Sequence, residues 1–139
     1  MVSGPRVLFS RRTSVVAEGK YPHSDHVEMS GKMMATVLYW GIDKEQKFTL
    51  DRSLVFPMLR RIPNNTHASL MIRQALDVVA QLRINNNNHL KFTTRFVEIN
   101  GGMRVVEDHR GGAYGLEVDR VIFPTMEQAM MCEHYVLRN

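Results

Sequence analysis

The chain has 139 residues, 44% of them hydrophobic and 23% charged, with a formal charge of +4, the balance of an ordinary globular domain able to bury one core. No apolar run reaches the length of a helical membrane span, and a single cysteine, Cys132, excludes an internal disulfide. The basic residues cluster only as the doublets Arg11-Arg12 and Arg60-Arg61, while others stand beside an acid, as in Asp51-Arg52 and Asp119-Arg120. That spacing suits solvated faces and lacks the basic stripe of a nucleic-acid footprint, so neither nucleic acid nor a membrane is expected as a partner.

Short apolar patches at Val7-Leu8-Phe9 and Val15-Val16-Ala17 predict an edge strand and its hairpin partner. From His26 the pattern sharpens. His26–Ser30 and Lys32–Ile42 are β-rich runs joined at Ser30-Gly31, and Asp43–Gln46 is a polar turn. Lys47–Phe56 then begins in alternation, Phe48 and Leu50 inward against Thr49 and Asp51 outward, which predicts a half-buried strand. After residue 67 two periods compete. Met71, Ala75, Val78, Val79 and Leu82 form a helical stripe, whereas Asp77–Ile84 can be cut as a strand. A short helical turn over Ala68–Leu76 followed by a strand reconciles them. Asn85–Asn88 reads as a turn. Strands over His89–Ile99, Met103–Glu107, Ala113–Pro124 and Ala129–Leu137 follow, separated by Asn100-Gly101-Gly102, Gly111-Gly112 and Thr125–Gln128. Regularly spaced strands with short turns predict an all-β fold, an antiparallel β-sandwich over residues 1–139 that looks cut short where it stops on a strand.

One long connection interrupts this rhythm, between Leu54 and Leu70. Pro57 and Pro63 push Phe56 and Ile62 out of the α region, and Asn64-Asn65-Thr66-His67 brings four hydrogen-bonding side chains together between apolar flanks. A loop held by a scaffold is where binding residues concentrate; the same residues also serve a turn's own hydrogen bonds.

Elsewhere the sequence offers no assembled chemistry. His23 and His26 fall on opposite faces of a strand, which does not converge ligands on a metal, and no metal or other cofactor is expected. No serine sits in a nucleophile elbow. No glycine pair precedes a phosphate-binding helix. Glu107-Asp108 could act as an acid pair but stands near Gly111, where carboxylates solvate a turn. Cys132 lies in an apolar run, as a buried inert thiol would. Trp40, Tyr39 and Tyr114 could stack on sugar faces, although an aromatic in a β run is ordinarily core.

Several stretches together carry a family resemblance. Glu28-Met29-Ser30-Gly31, Leu54–Arg60, Ile62–Ala68, Gly115–Pro124 and Glu133–Asn139 resemble the N-terminal β-sandwich of bacterial six-hairpin glycoside hydrolases, a supersandwich that precedes an (α/α)6 barrel. The resemblance implies a parent enzyme acting on oligo- or polysaccharides. Its catalytic carboxylates would lie in a downstream helical domain, so this chain alone would not be catalytic. It also implies carbohydrate as the ligand, with Arg60, Asn64, Asn65, His67 and Trp40 as the residues that would line the sugar cleft. Periplasmic or secreted placement would follow if a signal lies outside this sequence, cytoplasmic placement otherwise. A free-standing carbohydrate-binding module, with Trp40 or Tyr114 exposed, and a structural module that associates through open strand edges are the other readings.

Overall fold

Successive side chains on a strand point to opposite faces, and it is this alternation that builds the molecule. The computed structural model describes residues 8–9, 15–56, 70–84, 90–111 and 114–139. Its strands are β1 (Leu8–Phe9), β2 (Val15–Glu18), β3 (His23–Ser30), β4 (Ala35–Ile42), β5 (Phe48–Phe56), β6 (Leu70–Gln74), β7 (Phe92–Ile99), β8 (Met103–Gly111), β9 (Tyr114–Pro124) and β10 (Met131–Arg138). They form a six-stranded sheet in the order β1-β2-β7-β8-β9-β10 and a four-stranded sheet in the order β3-β4-β5-β6. Every neighbouring pair is antiparallel. The fold is an all-β, antiparallel, sandwich-like one, as the strand spacing predicts.

The inward residues of the two sheets make the core. Leu38, Trp40 and Ile42 of β4 with Phe48 and Leu50 of β5 meet Val97, Met103, Val105 and Ile122 of the larger sheet. Trp40 and Phe48 stack with ring centroids 6.4 Å apart. The predicted alternation of Phe48 and Leu50 against Thr49 and Asp51 is present.

A lock joins the sheets at one end. The backbone at Gln46, in the β4–β5 turn, is left-handed with φ 64°. Its carbonyl accepts both the N–H and the hydroxyl of Thr94, each at 2.8 Å. Thr94 stands beside the irregularity in β7 between Thr94 and Phe96, which turns both groups toward the other sheet. Gly19 lies against the same spot. Its N–H donates to the Arg95 carbonyl at 2.8 Å, and a Cβ on it would sit 1.7 Å from the Thr94 carbonyl oxygen.

The stretch beyond residue 70 differs from its prediction. Leu70–Gln74 is a strand, paired with β5 from Phe56↔Leu70 to Arg52↔Gln74, and the helical piece is a single 3-10 turn at Val79–Gln81. Ladder hydrogen bonds to β5 outweigh the weak helical stripe, of which Val79 is buried while Met71 and Val78 are exposed. The turn is started by Asp77, whose carboxylate accepts the Val79 N–H at 3.1 Å. The Asn85–Asn88 turn, the Gly112 turn and Ala68-Ser69 lie outside the described residues.

Candidate functional site

The predicted polar loop leaves the four-stranded sheet at the end of β5 and returns as β6. Phe56 and Leu70, which bracket residues 57–69, stand opposite one another in the ladder, so the two ends of this connection are held side by side. Arg60, Asn64, Asn65 and His67 themselves lie outside the described residues.

Trp40 is described, and it does not present its ring to solvent. It is 4% exposed, enclosed between Phe48 and His23, whose ring centroid is 5.1 Å away. The physical reason is register: Leu38, Trp40 and Ile42 are the inward set of β4, and the odd-numbered neighbour Tyr39 takes the outward place, 48% exposed. His23 and His26 diverge as a strand requires. His23 lies against Trp40, and His26 reaches Tyr39 on the other face, ring centroids 6.1 Å apart.

The larger departure concerns arginines. Arg52 and Arg120, expected on solvated faces beside Asp51 and Asp119, are 2% and 0% exposed. Adjacent residues on a strand point apart, so the neighbouring acid cannot neutralise them; Asp77 and Glu133 come from across the sandwich, and Glu107 from the adjacent strand β8. The Arg120 guanidinium lies over the Phe48 ring at 4.6 Å, Nη1 donates to Asp77 Oδ1 at 3.1 Å, and Nη2 is 3.0 Å from Glu107 Oε2. That last pair is close without hydrogen-bond alignment, for neither atom has a hydrogen-bond partner. Arg52 pairs with Glu133 of β10 and donates to the Leu76 carbonyl. The Tyr135 hydroxyl donates to Glu133, and burial followed by that carboxylate pushes the hydroxyl up to about 12.

Glu107 is the chemically distinctive member. It faces inward on β8, 3% exposed, and does not solvate a turn, because β8 continues to Gly111. Asp108 points outward to Arg95, with Nη2 2.7 Å from Oδ1. Burial, aided by the charge of Asp77 and opposed by Arg120, raises the Glu107 carboxyl from 4.5 to about 7. Glu107 lines a cleft of about 520 Å³ with Phe48, Asp77, Val79 and Phe92 and with the exposed Lys47 and Lys91. Such a carboxyl can hold or release a proton near neutral pH. The signal for it was the alternation of Met103, Val105 and Glu107 on one face of β8.

Cys132 is half-buried. Among the described residues no group of three or more His, Cys, Asp or Glu is placed to hold a metal ion. Compared with known proteins, the chain matches no family model, no curated protein and no solved structure.

Proposed function

We propose that this chain is the N-terminal β-sandwich part of a glycoside hydrolase acting on oligo- or polysaccharides. In this reading the sandwich supports one wall of the sugar cleft, and the carboxylates that cleave the glycosidic bond belong to a helical (α/α)6 barrel further along the parent protein. The observation that carries it is the closure of the Pro57–Ser69 connection by the Phe56↔Leu70 pair. Fixing the two ends removes the loop-closure part of the entropy that ordering this connection around a ligand would otherwise cost. Arg60, Asn64, Asn65 and His67 then offer donors and acceptors suited to sugar hydroxyls. The all-β architecture is the one the family resemblance implies.

His67→Ala in the parent enzyme tests the loop's role. A lost hydrogen bond in a desolvated cleft costs about 1–2 kcal/mol, so kcat/KM for an oligosaccharide is expected to fall about tenfold with the melting temperature unchanged. Unaltered hydrolysis by the variant would leave His67 a structural residue and remove the loop from the cleft.

A further inference from the structure

The outer face of the four-stranded sheet carries an open groove of about 590 Å³. Two rows of residues run across it. Ser24, Gly41 and Thr49 stand opposite one another on β3, β4 and β5, and His26, Tyr39 and Asp51 form the next row. Gly41 leaves a dip between Ser24 and Thr49: a Cβ there would come 3.1 Å from Thr49 Oγ1 and 3.3 Å from the His23 carbonyl oxygen. Tyr39 rises beside the dip with nearly half its surface in water, and the His26 ring leans on it at an interplanar angle of 31°. An aromatic held half-exposed over a glycine floor contributes little to the core, which the inward side chains of the same strands already fill.

We propose that this groove binds a neutral saccharide, one sugar ring resting on Tyr39 and its hydroxyls bonded by Ser24, His26 and Thr49. A pyranose ring has an apolar C–H face and a rim of hydroxyls. The exposed phenol ring matches the face, while two hydroxyls and an imidazole, each able to donate and accept, match the rim. Charge decides between neutral and acidic sugars. Asp25 is exposed within the groove. Asp51 is tied to Arg73, whose Nε donates at 2.7 Å, and that bond holds its carboxyl below the ordinary range. A carboxylate on each strand flanking β4, Asp25 on β3 and Asp51 on β5, opposes a uronate. The choice of a saccharide among polar ligands rests on the glycoside-hydrolase reading above. The groove nevertheless lies toward the Phe48 end of β5, away from the Phe56 end where the Pro57–Ser69 connection departs, so it would be a second site.

The test is migration of the 139-residue chain through native gels containing xylan, mixed-linkage β-glucan, galactomannan or, as the acidic control, polygalacturonate. Retardation by at least one neutral polymer is expected, with none by polygalacturonate. Tyr39→Ala should weaken retention about tenfold and Tyr39→Phe should keep most of it. Thr49→Val, close to isosteric, provides a second variant should Tyr39→Ala lose its circular-dichroism signature. Retention by no neutral polymer, or retention that survives both Tyr39→Ala and Thr49→Val, overturns the proposal. Hydrolysis of the same polymers by the parent protein is scored separately. Cleavage without retention removes the groove and leaves the hydrolase reading standing; retention without cleavage does the reverse.

Discussion

Three carboxylates, Asp77, Glu107 and Glu133, face two guanidiniums, Arg52 and Arg120, inside the sandwich. Glu107 carries the imbalance because it is the most buried of the three and its pairing with Arg120 lacks hydrogen-bond alignment. A carboxyl raised from 4.5 in the open chain to about 7 in the fold binds more protons folded than unfolded between those values. Stability from this group is therefore fully present below about pH 4.5 and is lost as pH rises through about 7. Glu107→Gln cannot titrate. The difference in melting temperature between the two proteins, followed from pH 5 to 8, isolates Glu107 from histidines common to both. The wild type is expected to lose ground to the variant as pH rises, and a pH-independent difference would show that the buried carboxyl does not titrate there. The inward placement of Arg52 and Arg120 was readable in the sequence, since each shares a strand face with apolar residues, Phe48 and Leu50 in one case and Val118 and Ile122 in the other. Adjacency to an acid points the other way, since neighbours on a strand face opposite sides. Two of their partners are not readable, because Glu133 and Asp77 reach them only once the two sheets are packed together, whereas Glu107 stands on β8, beside Arg120 on β9 in the same sheet.

At the scale of elements, strands bounded by glycine or asparagine turns are legible in the sequence to within about four residues at their ends, as β3 to β5 and β7 to β10 show. Residues 70–84 are not. Their apolar side chains satisfy a helical period, but Leu70, Met71 and Ile72 sit on an edge strand with both faces open, so burial could not impose a period of two on them. What fixed the strand was pairing with β5, a non-local contact that a local pattern cannot contain. The neighbour of β2 was hidden for the same reason. The β1–β2 hairpin follows from the sequence, but β2 also pairs with β7, from Val15↔Ile99 to Glu18↔Phe96, and Gly19 ends that pairing against the Thr94–Gln46 lock. Gly19→Ala forces a methyl group into a backbone carbonyl 1.7 Å away. A cost of about 3 kcal/mol is expected in urea unfolding, against a change within about 0.5 kcal/mol for Gly115→Ala, where nothing lies within 4 Å. Equal effects at the two positions would mean that β2 does not approach β7 so closely.

Over the whole molecule, two sheets enclose one apolar layer interrupted by ion pairs, and each outer face is put to a different use. On the six-stranded sheet Arg104 holds Asp119 through bonds of 2.9 and 2.8 Å, and Arg95 and Arg138 both reach Glu117. These guanidiniums keep Asp119 and Glu117 charged below the usual carboxylate range and leave that face a closed lattice of charges. The four-stranded sheet has instead an exposed tyrosine over a glycine dip and, at its far edge, the clamped ends of the Pro57–Ser69 connection. In the sequence Asn64, Asn65 and His67 stand out as a polar cluster after Pro63, whereas the tyrosine groove does not, because Tyr39 and Trp40 are equivalent aromatics until register decides which one faces out. In the proposed reading this is a scaffold that would hold sugar-binding groups while the chemistry is done elsewhere. The direct test is release of reducing sugar from oligosaccharides by two proteins, the 139-residue chain and the product of the complete reading frame of its gene. The account predicts cleavage by the complete product and none by the chain alone. Cleavage by the isolated chain, or its absence from both, would contradict it.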